Sequence, residues 1–357
     1  MKKKTKKNRK IKPFTIIMII IDIFVGGCFF LFYGPFKGFK NKIISTAMIT
    51  KTHQWIAYTF YSEEEVSKVV ASNSYVIPDE NMDLDEIVID TSEKKHYDNE
   101  YDKEILTREN GNDDYKMIDV KVGKYDAHLV AVYDPSKVQL LTSPSFNTGK
   151  GQETMIKMCT RNGAKVCING GGFQDITGYG SDIPIGYVIK DGEIIWSDNN
   201  NASNIIGMTY ENKLLLINAT GEEAIAAGIR DGIEFGPFLI VNGKKISSNS
   251  AAGGYDRAAR VAIGQRKDGV ILFLVTEGVH TKGPTLTEMA DTLELYGAYN
   301  AANLDGGTSA QLVANGKLIN TPKNVYGKTI EGGRRVVTGW GSVSYTHLRA
   351  HETGRNL

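Results

Sequence analysis

The chain has 357 residues, 41% hydrophobic, 23% charged and 9% aromatic, with 42 basic against 41 acidic side chains. That composition excludes a wholly disordered or collagen-like chain and suffices for a full core. The formal net charge of +1 argues against a strongly basic nucleic-acid binder, although the charge is unevenly spread. Lys2, Lys3, Lys4, Lys6, Lys7, Arg9, Lys10 and Lys12 crowd a basic tail over residues 1–13 that contains no acid. Removing those eight charges, and the net single positive charge of residues 344–357, leaves −8 for Pro13–Val343.

Residues 14–33, FTIIMIIIDIFVGGCFFLFY, are almost wholly apolar. As a helix they span about 30 Å, enough to cross a bilayer. The basic block before them predicts a cytoplasmic N-terminus and an extracytoplasmic remainder, hence a single-pass protein of the cell membrane. A cleaved signal peptide is the competing reading, but the run is long and no small-x-small site follows it. Asp22 costs about 2.5–3.5 kcal/mol near the middle of such a span, which the Ile and Phe residues around it offset.

Helical apolar spacing at Ile43, Ile44, Ala47 and Met48, then at Trp55, Ile56 and Tyr58, predicts a helical stalk over residues 34–77. Residues 78–114 carry fourteen Asp or Glu against four Lys or Arg and read as a solvated acidic linker. From Tyr115 the pattern turns to strands. Asp191-Gly192, Asn242-Gly243, Asp268-Gly269 and Asn315-Gly316 each separate two strand-like runs, as tight hairpin turns do. Two helices interrupt the strands. One covers Gln152–Arg161; the other starts on a capping box, Thr285 with Glu288, buries Leu286, Met289, Ala290 and Leu293, and stops at Gly297. The expected fold is α+β over residues 115–343, layered mixed and antiparallel sheets with few helices, preceded by one N-terminal transmembrane helix. Residues 344–357, SYTHLRAHETGRNL, lack periodicity and read as a non-native, adapter-derived tail. Cys159 and Cys167 either pair or stay as buried thiols, and with so few His and Cys a metal centre built on them is not expected.

Three loops at predicted strand ends carry chemistry. Asn169-Gly170-Gly171-Gly172-Phe173 offers a side-chain amide and backbone N–H groups that can approach an anion closely; the bland alternative is a sharp turn. Asn303-Leu304-Asp305-Gly306-Gly307-Thr308-Ser309 puts a carboxylate at a strand end with hydroxyls behind it; an ordinary Asp-Gly turn is weaker here, because Asn315-Gly316 already supplies the hairpin. Arg257 and Arg260 precede one strand, and Glu277 and His280 follow the next, so a hairpin between them sets cation beside carboxylate, for chemistry or as a plain ion pair.

These motifs, in the order NGGGF, P-x-G-x-x-I-K-D-G, F-G-P-x-L-I-x-N-G, R-x-A-I-G and NLDGGTSA, resemble the phosphodiester glycosidase family over about Met117–Gly341. The resemblance implies hydrolysis of the C1–O bond of a sugar-1-phosphodiester of the N-acetylglucosamine type, within a cell-surface glycan or related polymer. Bacterial members are often membrane-anchored and associated with exopolysaccharide, in keeping with the predicted span. Carried over residue by residue, the resemblance makes Asp305, Glu277 and Arg260 catalytic. Asn169, Gly170, Gly171, His280, Asn303, Gly306, Gly307, Thr308 and Ser309 would bind substrate. The extra glycine in NGGGF, Gln174 after it, and Glu277-Gly278 where relatives often show Asp-Gly depart from the family pattern and bear on substrate preference. The rival reading is a non-catalytic module that binds anionic glycans; transfer to an acceptor other than water is a third. The sequence names no definite cofactor; a divalent cation at Asp305 is compatible with it, although no clear set of oxygen ligands stands at fixed spacing. Expected partners are a phosphodiester-linked glycan and the membrane, with no nucleic acid.

Overall fold

The computed structural model describes residues 12–49, 54–73, 82–108, 114–175, 181–246, 257–279 and 282–343, which fall into two units, one ending at Asn73 and the other starting at Ser74. His280 and the segment 344–357 lie outside the described residues, as does all of the basic tail but Lys12 and Pro13.

The first unit opens with α1 (Pro13–Tyr33), apolar but for Thr15 and Asp22 and with no buried residue. It is long and apolar enough to cross a membrane. The predicted stalk is instead a folded cluster of three short helices: α2 (Lys37–Ile49), α3 (Gln54–Phe60) and α4 (Glu63–Asn73). Ile44, Ala47, Ala57, Tyr61, Val66 and Val69 form a small core of their own. Phe32, from the last turn of α1, joins that core and stacks on Phe60 with ring centroids 4.3 Å apart.

The second unit has the predicted layered α+β architecture. Its largest sheet has seven strands, all in antiparallel pairs. The middle of that sheet is the strands Ile271–Thr276, Val261–Arg266 and Ala298–Leu304, buried on both faces. Two five-stranded sheets accompany it. One carries Ala164–Asn169 and Thr338–Val343 side by side; the other is built on Ile229–Glu234 and Ser203–Thr209. One face of each sheet enters a shared core that includes Val261, Phe273, Ile168, Trp340, Ile206 and Ile233. The opposite face of each is covered by helix: α8 (Leu286–Leu295) is one cover of the large sheet, and α6 (Met155–Arg161) and α7 (Gly221–Ala226) lie on the other two. Alternation of side chains along a strand dictates this arrangement, since apolar residues on both faces demand two covers.

All four turn dipeptides join paired strands. At three of them both residues have positive φ, as a type I′ turn requires; at the fourth only Gly269 does, and Arg266 N–H closes a longer loop onto Val270 O at 3.0 Å. The capping box at Thr285 and Glu288 is present, and Leu286, Met289, Ala290 and Leu293 are buried as the pattern predicts. Thr285→Ala removes one side of it and is expected to cost about 1 kcal/mol in urea-induced unfolding, with Thr285→Ser close to wild type.

Three expectations need correction. The helix predicted from Gln152 starts at Met155, because Thr154 caps it through Lys157 N. α7 went unpredicted, although Thr220 and Glu223 form a second capping box. The acidic segment is not a free linker over its described part. Asn99 caps α5 (Glu100–Leu106), whose Ile105 and Leu106 are buried against the large sheet, and Ile87 is buried as well. Asp102 meets Arg266 Nη1 at 2.8 Å across 164 positions of sequence, and Val88 N–H donates to Lys267 O at 2.8 Å. Ile87, Ile105 and Leu106 are thus covered, while Val88 and Ile89 stay exposed. Cys159 and Cys167 are bonded, joining α6 to the strand Ala164–Asn169.

Candidate active site

Strand ends from two sheets converge around Asp305. Asn169 ends its strand almost fully buried; its Nδ2 donates to Asp305 O at 2.6 Å and its Oδ1 accepts from Gln311 N at 3.0 Å. Gly170 O accepts from Asp305 N at 3.0 Å, so the NGGGF and NLDGG loops are joined backbone to backbone. Gly170 N donates to Thr338 O and Gly171 N to Thr338 Oγ1, both at 2.9 Å. Those two N–H groups are thus committed to the protein, and the glycines serve close packing: a Cβ at Gly170 would stand 2.8 Å from Thr338 Oγ1. The expectation that they cradle an anion is corrected on that ground.

The NLDGG loop folds over the start of the next strand. Gly307 N donates to Ala259 O at 2.7 Å, and a Cβ on Gly306 would lie 2.5 Å from that same oxygen. Thr308 and Ser309 follow in a short 3-10 turn, with Ser309 buried. Asn303, two residues before Asp305, donates through Nδ2 to Gly236 O at 2.9 Å and thereby draws the F-G-P segment toward the same end of the sheet.

Arg260 is buried, with its backbone locked to Thr276: its N donates to Thr276 Oγ1 at 2.8 Å and its O accepts from Thr276 N at 2.9 Å. Val261 pairs with Leu304, the last step of that ladder before Arg260 on one strand and Asp305 on the other. The register therefore sets Arg260 opposite Thr276, one position away from Glu277. Glu277 ends the strand beyond; its N donates to Asp126 O and its Oε1 accepts from Thr321 N, both at 2.8 Å. Positions 277 and 305 are two strands apart, about 10 Å between backbones. Arg257 reaches away, to Gly283 O and Glu288 Oε2 at the cap of α8.

Asp305 is electrostatically distinct. Burial pushes its carboxyl up to about 6; the Ser309 hydroxyl, the Arg334 charge and the Gly306 N–H pull it back, and Asp175 adds to the rise. Two of these groups, Arg334 and Asp175, escaped the reading of the sequence. Arg334 Nη2 lies 2.7 Å from Asp175 Oδ2, and the guanidinium sits over the Phe173 ring, 4.8 Å from its centroid. A signal was present in Gly332-Gly333-Arg334-Arg335, two glycines running into two arginines before the last strand. Among the described residues, no cluster of three His, Cys, Asp or Glu could hold a metal ion.

The family model described as phosphodiester glycosidase matches residues 162–343, just over half of the chain, and includes every site residue from Asn169 to Arg334. The chain belongs to the phosphodiester glycosidase family. One relative is the mouse N-acetylglucosamine-1-phosphodiester alpha-N-acetylglucosaminidase, 26% identical over 220 residues, which cover 55% of this chain and 41% of the mouse protein. Another is the SPbeta prophage-derived uncharacterized protein YomE of Bacillus subtilis strain 168, 28% identical over 200 residues, covering 53% of this chain and 30% of that protein. This family member thus spans well under half the length of these relatives. Its fold is that of the zebrafish N-acetylglucosamine-1-phosphodiester alpha-N-acetylglucosaminidase catalytic domain auto-inhibited by its pro-peptide, with a TM-score of 0.56 at 20% identity over 67% of this chain and 87% of that structure.

Proposed function

We propose that the chain hydrolyses the glycosidic C1–O bond of a sugar-1-phosphodiester in a cell-surface glycan or related polymer, as an extracytoplasmic enzyme held at the membrane by α1. The observation that carries this reading is the Asp305 carboxyl, poised near neutrality where the strand-end loops of this family converge. A phosphate leaving group needs little protonation. It departs readily once its charge is met by positive groups, so the site has to provide cations on one side and an ionised carboxylate on the other. Arg334 is the cation whose charge acts on Asp305, and the buried Arg260 lies one residue beyond the last pair, Val261 with Leu304, that joins its strand to the strand leading into Asp305. Above about pH 6 Asp305 is an anion that activates water or attacks C1, with Glu277 two strands away as the second carboxylate. The portion from Pro13 to Val343 carries a net charge of −8. An anionic substrate is therefore held by these local donors and not by a positive field of the whole protein.

The test is incubation of the purified chain with a panel of sugar-1-phosphodiesters, N-acetylglucosamine among the sugars, followed by assay of free sugar. Release from at least one substrate is expected. Binding without release across the panel would favour a glycan-binding module, and sugar appearing only on an added acceptor would favour transfer.

A further inference from the structure

We propose that Arg334 is the residue that grips the substrate phosphate beside Asp305, and that Asp175 and Gln311 are positioning residues that aim its guanidinium. This rests on the reading of the chain as a sugar-1-phosphodiester hydrolase.

The backbone at Arg334 is built for one position. Gln311 is fully buried, and its Nε2 donates to Arg334 O at 3.1 Å and to Ser309 O at 3.3 Å. One side chain thus ties the Asp305 loop to the segment carrying Arg334, while the Gln311 backbone N holds Asn169 Oδ1 at 3.0 Å. Gly333, at φ +76°, leaves room for this: a Cβ there would fall 1.8 Å from Gln311 Oε1. The guanidinium is then fixed on two sides, by Asp175 at 2.7 Å and by the face of Phe173. Among the described residues, Nη2 is its only hydrogen-bonding nitrogen, so Nε and Nη1 keep their donors for a ligand. A planar cation with spare donors next to a carboxylate is what binding a phosphodiester beside a nucleophile demands, because the two anions otherwise repel. A plain surface ion pair would contribute little and would have no need of the buried glutamine and the glycine behind it.

The two charges act on Asp305 with opposite sign, Arg334 lowering its pKa and Asp175 raising it, alongside the neutral Ser309 hydroxyl and Gly306 N–H. Arg334→Ala is therefore expected to lower kcat/KM by about 10²–10³-fold and to move the acid limb of the pH–rate profile upward. Asp175→Asn should move that limb downward with a smaller loss. Arg334→Lys, or guanidinium added to Arg334→Ala, should restore part of the rate. Calorimetry with inorganic phosphate adds a readout without turnover: the wild type binds and Arg334→Ala does not. The proposal is overturned if kcat/KM of Arg334→Ala stays within threefold of wild type, if both limbs stay in place, or if phosphate binding is unchanged or absent from the wild type. A wild type that binds phosphate through Arg334 yet releases no sugar would sink the hydrolase reading alone.

Discussion

Asp305→Asn is expected to lower sugar release by on the order of 10²–10⁴-fold and, at the same time, to make the protein more stable at pH 7.5. Both effects come from one cause. Burial holds the Asp305 carboxyl at about 6 against an ordinary value of 3.8, so between those two pH values the folded chain keeps a proton that the unfolded chain has lost. Stability therefore falls as pH rises through that window, and the cost of the buried anion is complete above it. Asparagine has no charge to desolvate. The gain is about 1–3 kcal/mol after discounting for partial exposure, seen as a higher Tm above pH 6 that converges on wild type near pH 4. A mutant of unchanged activity would remove Asp305 from the chemistry; an inactive mutant whose Tm difference ignores pH would show that the carboxyl is not strained by burial.

Gly306→Ala should cost about 1–3 kcal/mol and abolish activity in whatever fraction folds, whereas Gly171→Ala should fold like the wild type. The first methyl group would lie 2.5 Å from Ala259 O, a backbone oxygen already bonded to Gly307 N, so neither side can yield without shifting the loop that carries Asp305. The second would meet its nearest atom at 3.5 Å, an ordinary contact. Urea denaturation beside an activity assay separates the pair. Equal stability of the two would mean that the NLDGG loop has slack, and loss of activity in a stable Gly171→Ala would place substrate directly on that glycine.

The sequence carried much of this site because its chemistry lies on strand ends, where hydrophobic runs stop at glycines. Asn169 and Asp305 were legible for that reason, and so were the hairpins, since a positive φ at Asn242 or Asn315 demands a particular residue type. What escaped needed distance or register. Turn dipeptides mark a hairpin without fixing its pairing, and a single step of register separates Arg260 opposite Thr276 from Arg260 opposite Glu277. Arg334 and Asp175 lie in irregular segments 159 positions apart, where no periodicity brings two residues together. The acidic segment misled through its composition, because three of its apolar residues, Ile87, Ile105 and Leu106, are buried.

The ring of Phe32 bears on where the chain can be cut. Because the last turn of α1 fills the core of the helices that follow, a fragment starting at Gly34 would uncover Phe39 and Phe60, the rings against which Phe32 packs. A fragment starting at Tyr115 would strip Asp102 from Arg266 and open the floor of the large sheet. The division at Asn73 and Ser74 avoids both losses, so a fragment for assay and crystallisation begins between residues 74 and 82 and keeps the acidic segment with the sheets it packs on.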